Sequence, residues 1–283
     1  MTASSAAAPE ECPPAPAARG PVGGRPLSVV WRALAEARHY RALGNMLRRY
    51  PRPAAALARY VFGRGAYPAR VAVRTPAGAA RPTLYSRHDM LTLNEVFCRL
   101  DYELEAPSRV VVDVGSNIGL SALYFLTRPS GPFCYLYEPD PRNVARLRDN
   151  LAAYDGRYEL AVAAVGARAG RVRFATEPTG RYGRVGGAEG DAEERAPGAA
   201  AITVDCLAIN DVLEHALART GTVDLVKIDT EGLELDTVRA MDPALLRRVR
   251  AIVVEAEPAE PLHPALFAQR QYGSVCRLTR RGD

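Results

Sequence analysis

The pattern of apolar and polar positions changes character near residue 108. From about Leu27 to Val61, apolar residues recur at helical spacing and are interrupted near Pro51 and Pro53, which predicts two helices. Apolar and polar residues then alternate around Pro76-Ala77-Gly78, and this predicts a β-hairpin. The next stretch, DMLTLNEVFCRLDYEL, carries apolar residues on one helical face and predicts a further helix.

Beyond residue 108, apolar runs alternate with helical patterns. The predicted strands are, in chain order, RVVVDVG, FCYLYEP, YELAVAAVG, RVRFAT, AITVDCL, VDLVKID and RAIVVEAEP. The predicted helices between them are Asn117 to Leu126, DPRNVARLRDNLAAY, INDVLEHALART and ELDTVRAM. This alternation predicts a doubly wound α/β fold with a mostly parallel, Rossmann-like sheet. Ligands of such sheets bind at the carboxyl ends of the strands, near the reversal of strand order.

Three segments follow from this pattern. We predict a disordered Ala/Pro-rich leader over residues 1–26, a helical and β-hairpin extension over 27–108, and a ligand-binding domain over 109–283. The leader lacks the basic start and apolar core of a signal peptide. No apolar run approaches the roughly 20 residues that cross a bilayer. Five widely spaced cysteines form no Cys-x-x-Cys pair, so we expect neither zinc nor disulfides, and a cytoplasmic location.

The net charge of +5 is unevenly distributed. Residues 1–108 hold 15 arginines against 8 acidic residues, whereas residues 109–283 are slightly acidic. Such a surplus is typical either of the solvated faces of amphipathic helices or of a surface for an anionic partner such as RNA. No aromatic-rich RNA-binding motif accompanies these arginines, which favours the first interpretation.

A glycine-containing turn follows the first predicted strand of the sheet. VVDVGSNIGLS places Asp113, Gly115 and Gly119 where a strand passes into a helix. It is not the dinucleotide fingerprint, because Asn117 stands where a second glycine is needed, and it is not a P-loop. An acid before the glycines suits a ligand with an ammonium group and no phosphate, such as S-adenosylmethionine. Glu138, which ends the second strand, can accept hydrogen bonds from ribose hydroxyls, as in NAD sites too.

A second cluster of ionisable groups follows the apolar run in LVKIDTEG. This stretch contains Lys227, the only lysine of the chain, followed by Asp229 and Glu231. Glu231 and Glu234 also suit a helix N-terminus, so a capping interpretation stays open. Lys227 points away from the face of Ile228, and a buried lysine needs a carboxylate partner. A structural ion pair and a catalytic role are both open for it.

These motifs resemble those of the FkbM-type methyltransferases, and the resemblance spans about residues 109–257. The matching stretches are DVGSNIG, YEPDP, AAVG, ITVD, VDLVKIDTEG and VVE. The resemblance implies a class I methyltransferase fold, S-adenosylmethionine as donor, and a hydroxyl acceptor on a small molecule, a secondary metabolite or a glycan. Together, the residues and the resemblance predict the cofactor-binding set Glu95, Asp113, Gly115, Ser116, Asn117, Gly119, Glu138, Pro139, Val162, Ala163 and Asp229.

An alcohol must lose its proton as it attacks the methyl group, so one base is expected at the site. The candidates are Asp229, His88 and Glu231, in that order. Glu95 is either a cofactor contact or an exposed helix acid, and His88 is either a base or a surface residue. A divalent metal held by Asp205, Asp229 or Glu231 stays conceivable, although the spacing does not require one. The alternatives are an RNA methyltransferase and an NAD-dependent oxidoreductase, and a homo-oligomer stays open.

Three features depart from the expected pattern. Family members often have Asn-Ala-Ala at the third strand, where this chain has Val162-Ala163-Ala164. After VVEAEP, only a short helix and one further strand are predicted, whereas a class I sheet usually adds two strands. The loop Glu177–Ala200 is long enough for a lid, in which Tyr182 and Arg184 are candidate acceptor contacts.

Overall fold

The computed structural model describes residues 37–104, 106–176, 183–186, 200–230 and 232–282. The predicted leader, Glu231, Tyr182 and most of the loop Glu177–Ala200 therefore lie outside the described residues. Arg184 lies on a described strand, but its side chain is outside the description. None of the described helices has both the length and the apolar character needed to cross a membrane.

The helices and strands follow the predicted order closely. The helices are α1 (Ala37–Arg49), α2 (Pro53–Phe62), α3 (Arg87–Asn94), α4 (Leu120–Leu126), α5 (Pro141–Leu151), α6 (Ile209–Thr220), α7 (Glu234–Arg239) and α8 (Pro243–Leu246). The strands are β1 (Ala69–Arg70), β2 (Val73–Thr75), β3 (Gly78–Ala80), β4 (Thr83–Leu84), β5 (Val110–Val114), β6 (Phe133–Tyr137), β7 (Tyr158–Ala161), β8 (Ala164–Gly166), β9 (Gly170–Thr176), β10 (Gly183–Gly186), β11 (Ala200–Ala208), β12 (Val223–Ile228), β13 (Val249–Val254), β14 (Phe267–Tyr272) and β15 (Val275–Arg280).

The N-terminal extension contains the predicted helices and hairpin. Pro53 begins α2 and Gly63 ends it in the left-handed region, while β2 and β3 pair as the hairpin. Ser86 begins α3 through a capping box: its hydroxyl accepts from the backbone of Asp89, and the Asp89 side chain accepts from the backbone of Ser86. A π-helical turn, Glu95–Arg99, continues α3 toward the main sheet.

The main sheet has seven strands in the order β14-β15-β13-β12-β5-β6-β7. Strands β7, β6, β5, β12 and β13 are parallel to one another, and β15 is antiparallel to both β13 and β14. From β5 the chain adds strands outward to β7, then returns to add β12 and β13 on the other side. The reversal of strand order therefore lies between β5 and β12, and the predicted doubly wound α/β fold is confirmed.

The two faces of this sheet are covered differently. The N-terminal extension packs with α4 and α5 on one face, and α6, α7 and α8 cover the other. Successive side chains of a strand point to opposite faces. Asp113 and Lys227 are register partners on β5 and β12, and both lie on the face that the extension covers.

We predicted that the apolar run YELAVAAVG forms one strand, but it is divided between two. The chain leaves the main sheet at Val162 and Ala163, and Ala164–Gly166 then pairs with β11 in a second sheet of order β10-β9-β11-β8. A continuous apolar run looks the same whether it is buried in one sheet or divided between two.

The far edge of the sheet also corrects the prediction. The expected short helix is instead strand β14, which pairs with β15 as a hairpin through Gly273. Its sequence, FAQRQY, is half polar and mostly exposed because it is an edge strand, so it lacks the apolar alternation of a half-buried strand. The sheet thus has the two additional strands expected of class I methyltransferases.

Candidate active site

A cavity of about 760 Å³ opens at the point where strand order reverses. Its walls come from the carboxyl ends of β5, β12 and β13 and from α3 with the π-helical turn. Five acids line it, against one lysine, and the principal polar lining residues are His88, Asp89, Glu95, Tyr102, Ser116, Asn117, Lys227, Asp229, Glu234 and Glu255.

The turn after β5 brings two strand ends into contact. The backbone N–H groups of Gly115 and Ser116 both donate to the carbonyl of Tyr137, each at 3.0 Å. Gly115 has φ +78°, and a Cβ at this position would lie 1.8 Å from the carbonyl oxygen of Asp229. Only glycine fits this close approach. Asn117 and Gly119 are also in the left-handed region, so α4 begins at Leu120 rather than at Asn117 as predicted.

Lys227 is buried at the centre of this arrangement. Its Nζ lies 3.2 Å from Oδ1 of Asp113 and 3.5 Å from Oδ2 of Asp229, and it donates to the carbonyl of Gly115 at 2.7 Å. Burial alone would lower the pKa of Lys227, but the two carboxylates outweigh it, so the pKa is raised and the group is an ammonium. The Ser121 hydroxyl donates to the other oxygen of Asp113 at 2.6 Å. The prediction that a buried Lys227 needs a carboxylate partner is confirmed.

The segment after β12 is held by an acid that caps the turn. Oε1 of Glu234 accepts hydrogen bonds from the backbone N–H groups of Thr230 and Gly232, at 3.0 and 2.9 Å. Glu234 lies in the first turn of α7, as the helix N-terminus interpretation expected, and its hydrogen bonds fix the turn that precedes the helix. Asp229 faces the cavity from the same segment, with 31% of its side chain exposed.

Two further polar residues face the cavity that sequence reasoning did not select. Glu255 follows β13, and its backbone N–H donates to the carbonyl of Ile228, which places it beside Asp229. Burial, Asp229 and Glu95 raise the pKa of Glu255 to about 8. Tyr102 is 7% exposed, and burial with the nearby Asp229 raises its pKa well above the ordinary value. The available signal for Glu255 was its position at a strand end in the matched stretch VVE; Tyr102 had none.

Glu138 lies behind the turn rather than on the cavity wall. It is 4% exposed, and its carboxylate accepts from the backbone N–H groups of Asn117 and Asp140, each at 2.9 Å. Asn143 donates to the same carboxylate at 3.4 Å. Burial raises the pKa of Glu138 to about 7, although these hydrogen bonds oppose the shift. Oε2 accepts one of these bonds and keeps capacity for a ligand hydroxyl.

The structure brings only part of the predicted set together. The predicted site residues that line the cavity are His88, Glu95, Gly115, Ser116, Asn117 and Asp229. Asp113 lies beneath the wall, and Gly119 packs against Leu147 of α5. Those outside the lining are Glu138, Pro139, Val162 and Ala163, of which Val162 is 47% exposed. The binding roles of all these residues stay predictions.

The metal-ligand candidates do not converge in the described part of the chain. Asp205 lies on β11, where it is largely exposed and pairs with Arg171 at 3.6 Å. The described residues hold no group of three or more His, Cys, Asp or Glu side chains that could bind one metal ion. Glu231, the third candidate, lies outside the description.

Comparison with known proteins identifies several relatives. "2-O-methyltransferase NoeI" from Sinorhizobium fredii is 39% identical over 71 residues, which span 25% of this chain and 29% of NoeI. "Methyltransferase sdnD" from Sordaria araneosa is 28% identical over 203 residues, which span 62% of this chain and 77% of sdnD. "AMB antimetabolite synthetase AmbE" from Pseudomonas aeruginosa is 30% identical over 195 residues, which span 58% of this chain but 9% of AmbE.

The family comparison covers the sheet and the site together. A model of the "Methyltransferase FkbM domain" matches residues 113–275, which is more than half of the chain. The match begins at Asp113 of β5 and includes Lys227, Asp229 and Glu255. The chain therefore belongs to the FkbM family of S-adenosylmethionine-dependent methyltransferases.

Proposed function

We propose that this protein transfers a methyl group from S-adenosylmethionine to a hydroxyl of a small molecule, a secondary metabolite or a glycan. The observation that carries the proposal is the acidic cavity at the reversal of strand order, with the Gly115–Asn117 turn on one side and Asp229 on the other. Ligands of doubly wound sheets bind in this place.

The side chains of the cavity fit this donor. S-adenosylmethionine carries a sulfonium and an ammonium and has no phosphate. The two carboxylates of Asp113 and Asp229 outweigh the single positive charge of Lys227, which leaves this group negative at the cavity wall. Such a wall attracts an organic cation and repels a pyrophosphate. When bound, the donor supplies an electrophilic methyl group.

We assign the binding roles from this geometry. The turn Gly115–Asn117 holds the methionyl end, because its backbone lies at the cavity wall. Glu138 accepts from the ribose hydroxyls through the remaining capacity of Oε2, and it is fixed for this by Asn117 and Asp140. Asp229 orients the reactants from the strand end, since Lys227 restricts its position. Positioning of this kind supplies much of the rate of a bimolecular displacement.

Two observations support a small hydroxyl acceptor over RNA. NoeI, a relative, is named a 2-O-methyltransferase. Several arginines of the extension also have local partners: Arg41 pairs with Glu103, and Arg74 donates to the carbonyl of Arg48. Membership of the family argues against the NAD-dependent alternative.

Titration calorimetry tests the donor. We expect S-adenosylhomocysteine to bind and NAD not to bind; the reverse would overturn the proposal. Glu138→Ala should weaken S-adenosylhomocysteine binding by about 1.5–3 kcal/mol for each charge-assisted hydrogen bond lost.

Labelled S-adenosylmethionine offered with pools of hydroxylated metabolites, glycans or RNA then tests the acceptor. Label transfer to RNA alone would reject the small-molecule assignment.

A further inference from the structure

Most acids around the cavity already have partners within the protein. Lys227 engages Asp113 and Asp229, backbone N–H groups engage Glu234, and Arg99 lies 3.4 Å from Glu95. Asp89, in the same wall, is committed to the capping box of α3. These contacts fix the positions of the acids within the protein.

Glu255 and Tyr102 differ from these residues. Within the described chain, neither side chain makes a hydrogen bond or an ion pair, and both line the cavity. Tyr102 is more than nine-tenths buried, its ring packs against Phe125 at 6.2 Å, and Nζ of Lys227 lies 5.8 Å from its centroid. Because Tyr102 lines the cavity, its hydroxyl can take a hydrogen-bond partner from a bound ligand.

We propose that Glu255 is the general base of the methyl transfer and that the Tyr102 hydroxyl binds the acceptor oxygen beside it. The inference rests on the proposed function and deepens it by assigning the proton acceptor. Neither residue was among the candidates that the sequence suggested for the base.

The step balances without another reactant. The acceptor oxygen forms a bond to the methyl carbon as the bond from that carbon to sulfur breaks, and its electron pair stays on sulfur. The hydroxyl proton passes to the carboxylate of Glu255, which becomes neutral. Tyr102 donates its own hydrogen bond to the second lone pair of the acceptor oxygen and keeps its proton.

The charges around Glu255 explain why it suits this task better than Asp229. Burial, then Asp229 after β12 and Glu95 from the turn after α3, disfavour its ionisation, whereas Lys227 and Arg99 favour it more weakly. The outcome is a pKa of about 8, close to physiological pH, where a base is most effective. Asp229, by contrast, is held in place by the Lys227 ammonium at 3.5 Å.

This arrangement couples the base to the charge of the donor. In the free enzyme near pH 7, Glu255 is mostly protonated. A sulfonium in the cavity lowers its pKa, and Glu255 then releases its proton and becomes competent as a base. The thioether sulfur of the product is uncharged, so the pKa of Glu255 is no longer lowered and Glu255 keeps the proton that it has taken from the acceptor.

Calorimetry at pH 7 in buffers of different ionisation enthalpy tests this coupling without any acceptor. S-adenosylmethionine and S-adenosylhomocysteine differ here by the sulfonium charge. We expect S-adenosylmethionine to release more protons per site than S-adenosylhomocysteine, because a group of pKa about 8 is mostly protonated at pH 7. Equal release by the two ligands would overturn the inference.

Glu255→Gln should bind both ligands and abolish the difference in proton release, whereas the exposed Glu257→Gln is the matched control and should retain it. A difference that persists in Glu255→Gln would reject Glu255 as its source. Failure of both ligands to bind the wild type would instead reject the proposed function.

Once an acceptor is found, Glu255→Gln should lower kcat by about 10²–10⁴. Tyr102→Phe should raise the KM of the acceptor and leave the affinity for S-adenosylhomocysteine unchanged.

Discussion

Lys227 and Asp113 are register partners on the two strands that flank the reversal of strand order, and their side chains form a buried ion pair of 3.2 Å. Neither residue is more than 2% exposed. The ammonium also holds Asp229 and the carbonyl of Gly115, so one cation joins the ends of β5 and β12. The pair therefore supports the position of the whole cavity wall.

Removing one member of this pair should be more harmful than replacing both. Lys227→Met leaves Asp113 as an uncompensated buried charge and should lower the free energy of unfolding by about 3–5 kcal/mol. The double variant Lys227→Met/Asp113→Leu replaces the pair by apolar groups and should recover a substantial part of that loss. Urea denaturation measures both values. A single variant that loses less than about 1 kcal/mol would contradict a structural role for the pair.

Asp229 and Glu255 can be distinguished by the pH dependence of turnover. Asp229→Asn removes a negative charge that raises the pKa of Glu255, so the acid limb of the kcat/KM profile should move to lower pH and remain visible. Glu255→Gln should abolish that limb. The measurement is kcat/KM from pH 5 to 9 for both variants with an identified acceptor. A limb that disappears only in Asp229→Asn, with a loss of about 10²–10⁴ in turnover, would make Asp229 the base.

Two glycines with positive φ test the close approach of the strand ends. Gly115→Ala would place its Cβ 1.8 Å from the carbonyl of Asp229, and should cost more than the roughly 1–3 kcal/mol of a strained φ alone. Gly78→Ala is the matched control, because its φ is +109° and nothing lies within 4 Å. Gly115→Ala should lower both the melting temperature and the affinity for S-adenosylhomocysteine. Equal losses in the two variants would show that the contact with Asp229 is unimportant.

Glu138 should make stability depend on pH between about 4.5 and 7. Its pKa is raised to about 7 in the folded protein, so folding binds a proton over this range. Its contribution is full below the unfolded pKa and is lost as pH rises through the folded value, by at most about 3 kcal/mol at 1.36 kcal/mol per pKa unit. Glu138→Gln should flatten this part of the profile relative to the wild type, although its absolute stability also changes. If the free energy of unfolding of the wild type and of Glu138→Gln changed equally between pH 5 and pH 7.5, the raised pKa would be contradicted.

The sequence predicted the fold through periodicity, and it failed where periodicity is uninformative. The buried strands β5 and β12 are mostly apolar runs that glycine or acids follow, so they were recognisable. The edge strand β14 is polar because solvent covers it, and the divided run at Val162–Ala163 depends on which sheet each half joins. Both outcomes are set by tertiary pairing rather than by local pattern.

The site was also predicted only in part, again because tertiary packing decides which residues meet there. Asp113, Gly115 and Asp229 lie at strand ends, where an α/β fold collects its functional groups. Tyr102 reaches the same cavity from the N-terminal extension, and nothing in its local sequence indicates this. Glu255 was visible at a strand end, but its distinguishing property is a raised pKa, which depends on burial and on Asp229 and Glu95.

The burial of Lys227 has a practical consequence for chemistry on this protein. Because it is the only lysine of the chain, the folded surface presents no lysine amine to an acylating reagent. Amine-directed dyes, biotin esters and sensor surfaces would therefore attach through the terminal amine and leave the cavity unmodified. Acylation of Lys227, followed by peptide mass spectrometry, would report how often the two strand ends separate.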